Sequence, residues 1–262
     1  MFTYPEINPY IFKLGPIGPT WYGLMYVLGF VFAIVFLKRR AKLQAWRGWT
    51  SEQAEDMIFY GIWGVILGGR LGYVLFYNTN MLWTDPIGIF KFWEGGMSFH
   101  GGLLGVLAMM WLYAKRTQRT FFQVTDFLAP GVAPGLLFGR MGNFINGELW
   151  GKPTDSVLGV NYRGQVLHPS QLYEALLEGL VLFIILWWVS RKPTRTRLIS
   201  GLFLFFYGLF RFMIEFVRVP DSHLGYQMFG WVTRGQQLCF LMVVFGLYLI
   251  YTSRNQPLNQ VT

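Results

Sequence analysis

Long apolar runs alternate with short polar segments along most of this chain. Seven of them, at roughly 20–37, 57–77, 97–114, 121–139, 171–189, 198–217 and 236–252, reach or approach the ~20 residues that an α-helix needs to span a bilayer core. The pattern predicts an all-α integral membrane protein of about seven transmembrane helices, forming one domain over residues 1–262. The segments between the runs are less regular. Prolines at 5, 9, 16 and 19 exclude a long helix there and predict an arm along the outer face. Gly151, Pro153, Gly159, Gly164 and Pro169 surround short runs such as Val157 to Val160, which suits a small irregular or β-like head, so 140–170 is expected to be an outside loop. The fourth run holds Pro130, Gly131, Pro134, Gly135 and Gly139, and a broken helix of the kind that lines a cavity is expected.

Composition agrees with the pattern. Of 262 residues, 53% are apolar and only 13% charged, about half the charge of an ordinary soluble domain. Only Lys13 precedes the first run among basic residues, and no small-residue cleavage site follows, so that run reads as a retained helix. If 38–55, 115–120, 190–197 and 253–262 face the cytoplasm they hold 13 basic residues, against 7 on the opposite loops. The positive-inside rule then puts the N-terminus outside and the C-terminus inside. The net charge of +9 follows from these topology signals and their contact with anionic lipid, and calls for no nucleic acid. The single cysteine, Cys239, excludes a disulfide framework or a cysteine metal site within one chain and reads as core filling.

Six charges fall inside the apolar runs: Arg70, Asp126, Glu174, Glu178, Arg211 and Glu215. At about 3 kcal/mol each near the bilayer centre, leaving all of them unpaired would cost roughly 18 kcal/mol, more than most domains have in total stability. They must pair, reach an interface or line water. With the orientation above, all but Asp126 lie within about 10 Å of the outer boundary, together with His100 and Arg140, and a shared polar site is expected there. Tyr207, Arg211, Glu215 and Arg218 follow i, i+4, i+8 and i+11 and would share a helix face, Arg211 and Glu215 forming at the least a structural ion pair. His168 or Ser170 could cap the helix that begins near Pro169, or touch substrate.

The densest chemistry lies in Gly139-Arg140-Met141-Gly142-Asn143-Phe144-Ile145-Asn146-Gly147-Glu148. A guanidinium among glycines at a membrane boundary suits the phosphate of a lipid headgroup, because its donor fork matches phosphate oxygens two at a time. His100 stands among Gly95, Gly96, Gly101 and Gly102, open to a ligand, and imidazole is the side chain that takes up a proton near neutral pH. A transporter would also gather charges between broken helices, but it needs pathways to both sides, and a scaffold would need neither Arg140 nor His100 in such settings.

Six ordered blocks carry a family resemblance. They are Trp21-Tyr22-Gly23, Gly68 to Tyr73, Gly96 to Gly102, Gly139 to Glu148, His168 to Glu174, and Tyr207 to Arg211 with Glu215. Over about 200 residues the chain resembles the bacterial prolipoprotein diacylglyceryl transferases. The resemblance implies a multi-pass enzyme of the cytoplasmic (inner) membrane with its N-terminus and a small head in the periplasm. It implies transfer of the diacylglyceryl group of phosphatidylglycerol to the lipobox cysteine of a prolipoprotein, with release of glycerol phosphate. It implies catalytic roles for His100, Arg140, Tyr207 and Arg211, His100 being the candidate base. Arg140, Asn143, Asn146, Glu148, Tyr22 and Arg70 would bind phosphatidylglycerol, supported by His168, Glu174 and Glu215. The expected partners are phosphatidylglycerol, the prolipoprotein signal peptide and membrane lipids. No cofactor or metal is implied.

Overall fold

In chain order the α-helices are α1 (Trp21–Leu43), α2 (Ser51–Tyr77), α3 (Met81–Thr84), α4 (Phe99–Arg116), α5 (Phe121–Ile145), α6 (Ser170–Glu174), α7 (Leu182–Val189), α8 (Leu198–Ile214) and α9 (Arg234–Ser253). A π-helical stretch, Ala175–Val181, joins α6 to α7, so Ser170–Val189 forms one rod. This computed structural model describes residues 2–13, 18–92, 95–219, 226–228, 230 and 232–260. Among the described residues, five helices are long and apolar enough to cross a membrane: α1, α2, α5, the Ser170–Val189 rod and α9. Their exposed side chains, Val35, Phe59, Leu71 and Phe240 among them, are those that hydrocarbon solvates. α4 has 18 residues, and α8 is a shorter apolar helix.

The fourth run departs from expectation. α5 continues through both Pro130 and Pro134 where a break was expected. Proline removes a backbone donor, but neighbouring groups in a membrane protein can supply others. Separately, Arg40 Nη1 ties this helix at the Phe127 carbonyl, donating to it at 2.8 Å.

The chain divides into two compact units, 37–128 and 1–36 with 129–262. In the first, α2 and α4 pack through small residues. A Cβ on Gly68 would stand 2.4 Å from the carbonyl oxygen of Gly101, and one on Gly105 2.2 Å from that of Gly64. Such contact lets the backbones touch, which matters in lipid because the tails are as apolar as any side chain and close packing drives association instead. Thr50 and Gln53 form a capping box at the start of α2, and Ser98 caps α4.

In the second unit α8 and α9 approach through the same device. A Cβ on Gly208 would meet the carbonyl oxygen of Cys239 at 3.0 Å, and one on Gly201 that of Gly246 at 3.0 Å. Cys239 is buried in this seam, as core filling requires. Ala129, Ala133, Leu182, Leu186, Ile199 and Phe210 form the core between α5, α7 and α8. The segment after α5 carries a hairpin of β2 (Val160–Tyr162) and β3 (Gln165–Leu167), and β1 (Phe2–Thr3) pairs parallel to β2. Arg163 and Gly164, both left-handed, make its two-residue turn. Tyr4, Phe144, Trp150 and Tyr162 pack edge and face around one another, and the Tyr4 hydroxyl donates to the Ile145 carbonyl at 2.6 Å. Burial and the nearby Tyr162 push the Tyr4 phenol up from its ordinary value, so it remains a neutral donor. The sheet is thereby fixed to the end of α5.

Candidate active site

Glu174, fully buried, is the hub of a chain of alternating charges. Its Oε2 lies 2.6 Å from Nε of Arg140 and 3.2 Å from Nη1 of Arg211, and its Oε1 accepts from Nη1 of Arg218. Arg211 continues to Glu215, Nη2 to Oε2 at 3.0 Å, and Nε of Arg218 stands 3.7 Å from the same oxygen. Glu178, also fully buried, lies 4.0 Å from Arg211 Nη1. A lone buried carboxylate would cost several kcal/mol in lost hydration, and three guanidinium groups around Glu174 offset that. The expected pair between Arg211 and Glu215 is present within a larger network.

Local backbone explains the convergence. Glu174 and Glu178 stand four residues apart where α6 passes into the π-helical stretch, a spacing that keeps both on one side of the rod. α8 ends at Ile214 with Glu215 as its C-cap, and Arg218 follows in the turn beyond. Arg218 therefore reaches Glu174 from outside the helix, whereas the spacing had placed it on the helix face. Glu215 is held from α9 as well: Thr233, the N-cap of α9, donates to its Oε1 at 2.9 Å. Gly235 leaves it room, since a Cβ there would stand 2.5 Å from that oxygen. Tyr207 stacks on Phe203 one turn below Arg211.

The Gly139 to Glu148 segment forms the last turns of α5 and the turn after it. Nη1 of Arg140 faces Asn143 Oδ1 at 3.5 Å. Glu148 accepts from both asparagines, from Asn143 Nδ2 at 3.3 Å and Asn146 Nδ2 at 3.2 Å. Asn146 Oδ1 is buried with no hydrogen-bond partner among the described residues. A Cβ on Gly139 would meet nothing within 4 Å, while one on Gly142 would stand 2.8 Å from the Tyr22 ring. Gly147, at φ +68, turns the chain so that Glu148 N returns to the Asn143 carbonyl at 3.0 Å.

Ser170 and Gln171 hold that turn. The Ser170 hydroxyl donates to the Leu149 carbonyl at 2.7 Å, and Gln171 Nε2 donates to the Glu148 carbonyl. Neither His168 nor Ser170 caps the helix: Pro169 is the N-cap residue and no side chain bonds there. His168 Nδ1 lies 3.3 Å from the Tyr173 hydroxyl.

Arg70 and His100 belong to the 37–128 unit. His100 is the second residue of α4 and exposed, its ring edge-on to Phe99. Arg70, expected among the lipid ligands, is 6% exposed and donates to backbone carbonyls: Nε to Ile89, Nη1 to Gly95 and Gly96, Nη2 to Gly88. Among the described residues, no group of three or more His, Cys, Asp or Glu side chains could hold a metal ion.

Comparison with known sequences decides the family. Residues 9–252 match the family model described as prolipoprotein diacylglyceryl transferase. Curated relatives named phosphatidylglycerol–prolipoprotein diacylglyceryl transferase include that of Oleidesulfovibrio alaskensis, 56% identical over 95% of this chain and 94% of the relative. That of Methylococcus capsulatus is 53% identical over 95% and 97%, and that of a Pseudomonas aeruginosa strain 51% over 95% of each. The chain belongs to the prolipoprotein diacylglyceryl transferase family. As a member, it is a multi-pass membrane protein, in keeping with its apolar helices.

For a diacylglyceryl transferase, the polar groups now seen together were all named in the sequence, but two of them without their partners. Arg218 counted as one position on a helix face, and Glu178 as one buried charge among six. The signal for Arg218 was present, since an excess of carboxylates, Glu178 among them, over arginines in the apolar runs demands a further cation.

Proposed function

We infer that this chain transfers the diacylglyceryl group of phosphatidylglycerol to the thiol of a prolipoprotein lipobox cysteine, the first step of lipoprotein maturation. The observation that carries the mechanism is the pairing of Arg140 with Glu174 through Nε, at 2.6 Å. Held by that edge, the guanidinium offers its Nη edge to the lipid phosphate. Asn146 Oδ1, buried and without a partner among the described residues, supplies an acceptor for a headgroup hydroxyl, and Asn143, Glu148 and Tyr22 are assigned to the same headgroup.

The thiolate sulfur attacks the glyceryl carbon that carries the phosphate ester. A C–S bond forms as the C–O bond breaks, and the electron pair passes to the phosphate oxygen of the departing glycerol phosphate. His100, on the family reading, takes the thiol proton, because a thiol near pKa 8.5 is only a few per cent ionised at neutral pH. Arg140 and Arg211 stabilise the charge that grows on the phosphate, and Tyr207, with His168 and Glu215, keeps those groups in place. We place the enzyme in the inner membrane with about seven spans, N-terminus and β-sheet head in the periplasm and C-terminus in the cytoplasm, on the basic-residue distribution.

The test uses purified protein, phosphatidylglycerol and a lipobox peptide. Each modified peptide should release one glycerol phosphate and gain a diacylglyceryl thioether that survives hydroxylamine. A peptide with serine for the cysteine should stay unmodified. Lipid hydrolysis without peptide modification would overturn the assignment.

A further inference from the structure

A buried arginine is expensive in or beside a membrane unless all its donors are met, and Arg70 meets them within its own unit. Guanidinium has five N–H groups. Nε donates to Ile89 O at 2.9 Å, Nη1 to Gly95 O at 2.5 Å and Gly96 O at 3.1 Å, and Nη2 to Gly88 O at 2.5 Å and Met81 Sδ at 3.9 Å. Five donors face five acceptors, which leaves none for a lipid phosphate.

The carbonyls come from both ends of the connection between α3 and α4. Gly95 and Gly96 have φ of +86 and +72, a left-handed pair that side chains rarely adopt. Gly96 also lies against the Tyr73 ring, where a Cβ would stand 2.6 Å from Cε1, and Arg70 lies over that ring at 5.7 Å. Two residues on, Ser98 N donates to the Gly69 carbonyl at 2.9 Å, and the Ser98 side chain accepts from Gly101 N to start α4. His100 is the second residue of that helix. Arg70, Gly69 and Tyr73, adjacent on α2, thus fasten the four residues that lead into His100.

We propose that Arg70 is a positioning residue for His100, holding the Gly95–Ser98 approach to α4, and not a ligand of the lipid. The inference rests on the proposed part of His100 in the reaction. It also changes what loss of the arginine should do: a ligand of phosphatidylglycerol governs its KM, whereas a residue that aims His100 governs kcat and acts only while His100 is there.

The experiment measures transfer to a lipobox peptide at varied phosphatidylglycerol in nanodiscs for wild type, Arg70→Gln, Arg70→Lys, His100→Asn and the Arg70→Gln/His100→Asn pair. Arg70→Gln should lower kcat tenfold or more with the phosphatidylglycerol KM within twofold. Arg70→Lys, with three donors on a single nitrogen, should be impaired in the same parameter. Added to His100→Asn, the Arg70→Gln change should cost less than a further twofold. A nitroxide on Phe99→Cys in a Cys239→Ser background should gain mobility when Arg70 is replaced, a readout available even in variants too inactive for kinetics. An unchanged nitroxide spectrum, a raised KM with normal kcat, or losses that multiply in the double variant would overturn the inference while the His100 reading stands. A His100→Asn enzyme with normal turnover would overturn both.

Discussion

Arg140 and Glu174 meet through a single edge of the guanidinium, Nε to Oε2 at 2.6 Å, and the carboxylate is the more deeply buried of the two, at 0% against 23% exposed. The carboxylate therefore aims the arginine and is itself satisfied by two further cations, Arg211 and Arg218. Orientation, more than charge alone, is what this arrangement supplies.

Glu174→Ala should damage stability and activity together. Three guanidinium groups would face one another without their shared anion, and removing one partner of a buried ion pair costs about 3 kcal/mol or more. A lower thermal midpoint in detergent and transfer reduced by roughly 100-fold are expected. Glu174→Gln should keep more stability but little activity. A Glu174→Ala protein with wild-type melting and turnover would remove Glu174 from its central place.

Arg140→Lys keeps the charge and loses the fork. An ammonium can meet Glu174 or the phosphate but cannot present two parallel donors to one while bonded to the other. The loss of one charge-assisted hydrogen bond, about 1.5–3 kcal/mol, corresponds to roughly 10- to 100-fold in kcat/KM for phosphatidylglycerol. Near-normal kcat/KM in a folded lysine variant would speak against two-point phosphate binding.

The His100→Asn defect should depend on pH in a fixed direction. A substrate thiol of pKa near 8.5 is about 1% ionised at pH 6.5 and mostly ionised at pH 9. The variant should therefore lag wild type most at pH 6.5 and recover toward it at pH 9. A defect of constant size across that range would make His100 a positioning group instead of a base.

Gly68→Ala should unsettle the α2–α4 pair, because its Cβ would stand 2.4 Å from the Gly101 carbonyl oxygen, with backbone on both sides unable to yield. A cost of about 1–3 kcal/mol or more is expected, seen as a lower thermal midpoint. Gly139→Ala, whose Cβ would meet nothing within 4 Å, should melt as wild type does. Equal midpoints for the two variants would show that the helices can separate without penalty.

Orientation can be read with single cysteines in a Cys239→Ser background. Impermeant thiol reagents should label Thr117→Cys from the cytoplasmic side and Asp155→Cys from the periplasmic side. The opposite pattern would invert the proposed topology.

The apolar runs made the helices legible, because a period of apolar residues long enough to span hydrocarbon has few other uses. Buried charge made the cluster legible too: Glu174, Glu178, Arg211 and Glu215 had to find partners somewhere. What stayed hidden depends on backbone geometry that composition does not encode. The π-helical stretch after Glu174, and the end of α8 beyond which Arg218 reaches across to Glu174, are set by packing. The two prolines of α5 signalled a break that did not occur. Arg70 is the reverse case. Its need of partners was foreseen, but the carbonyls that meet it lie in a connection with no regular period to read.

The position of Glu174 on Nε of Arg140 also bears on how the catalyst would empty itself. On the proposed mechanism a carboxylate permanently resident beside the phosphate seat competes with any anion that enters it. The competition weighs more on glycerol phosphate, a free monoester that gains charge as it forms, than on the lipid, whose acyl chains anchor it from the membrane. Repulsion from a fixed neighbour would thus favour departure of the product over its retention, and inhibition by added glycerol phosphate should be weak even though three arginines stand close by.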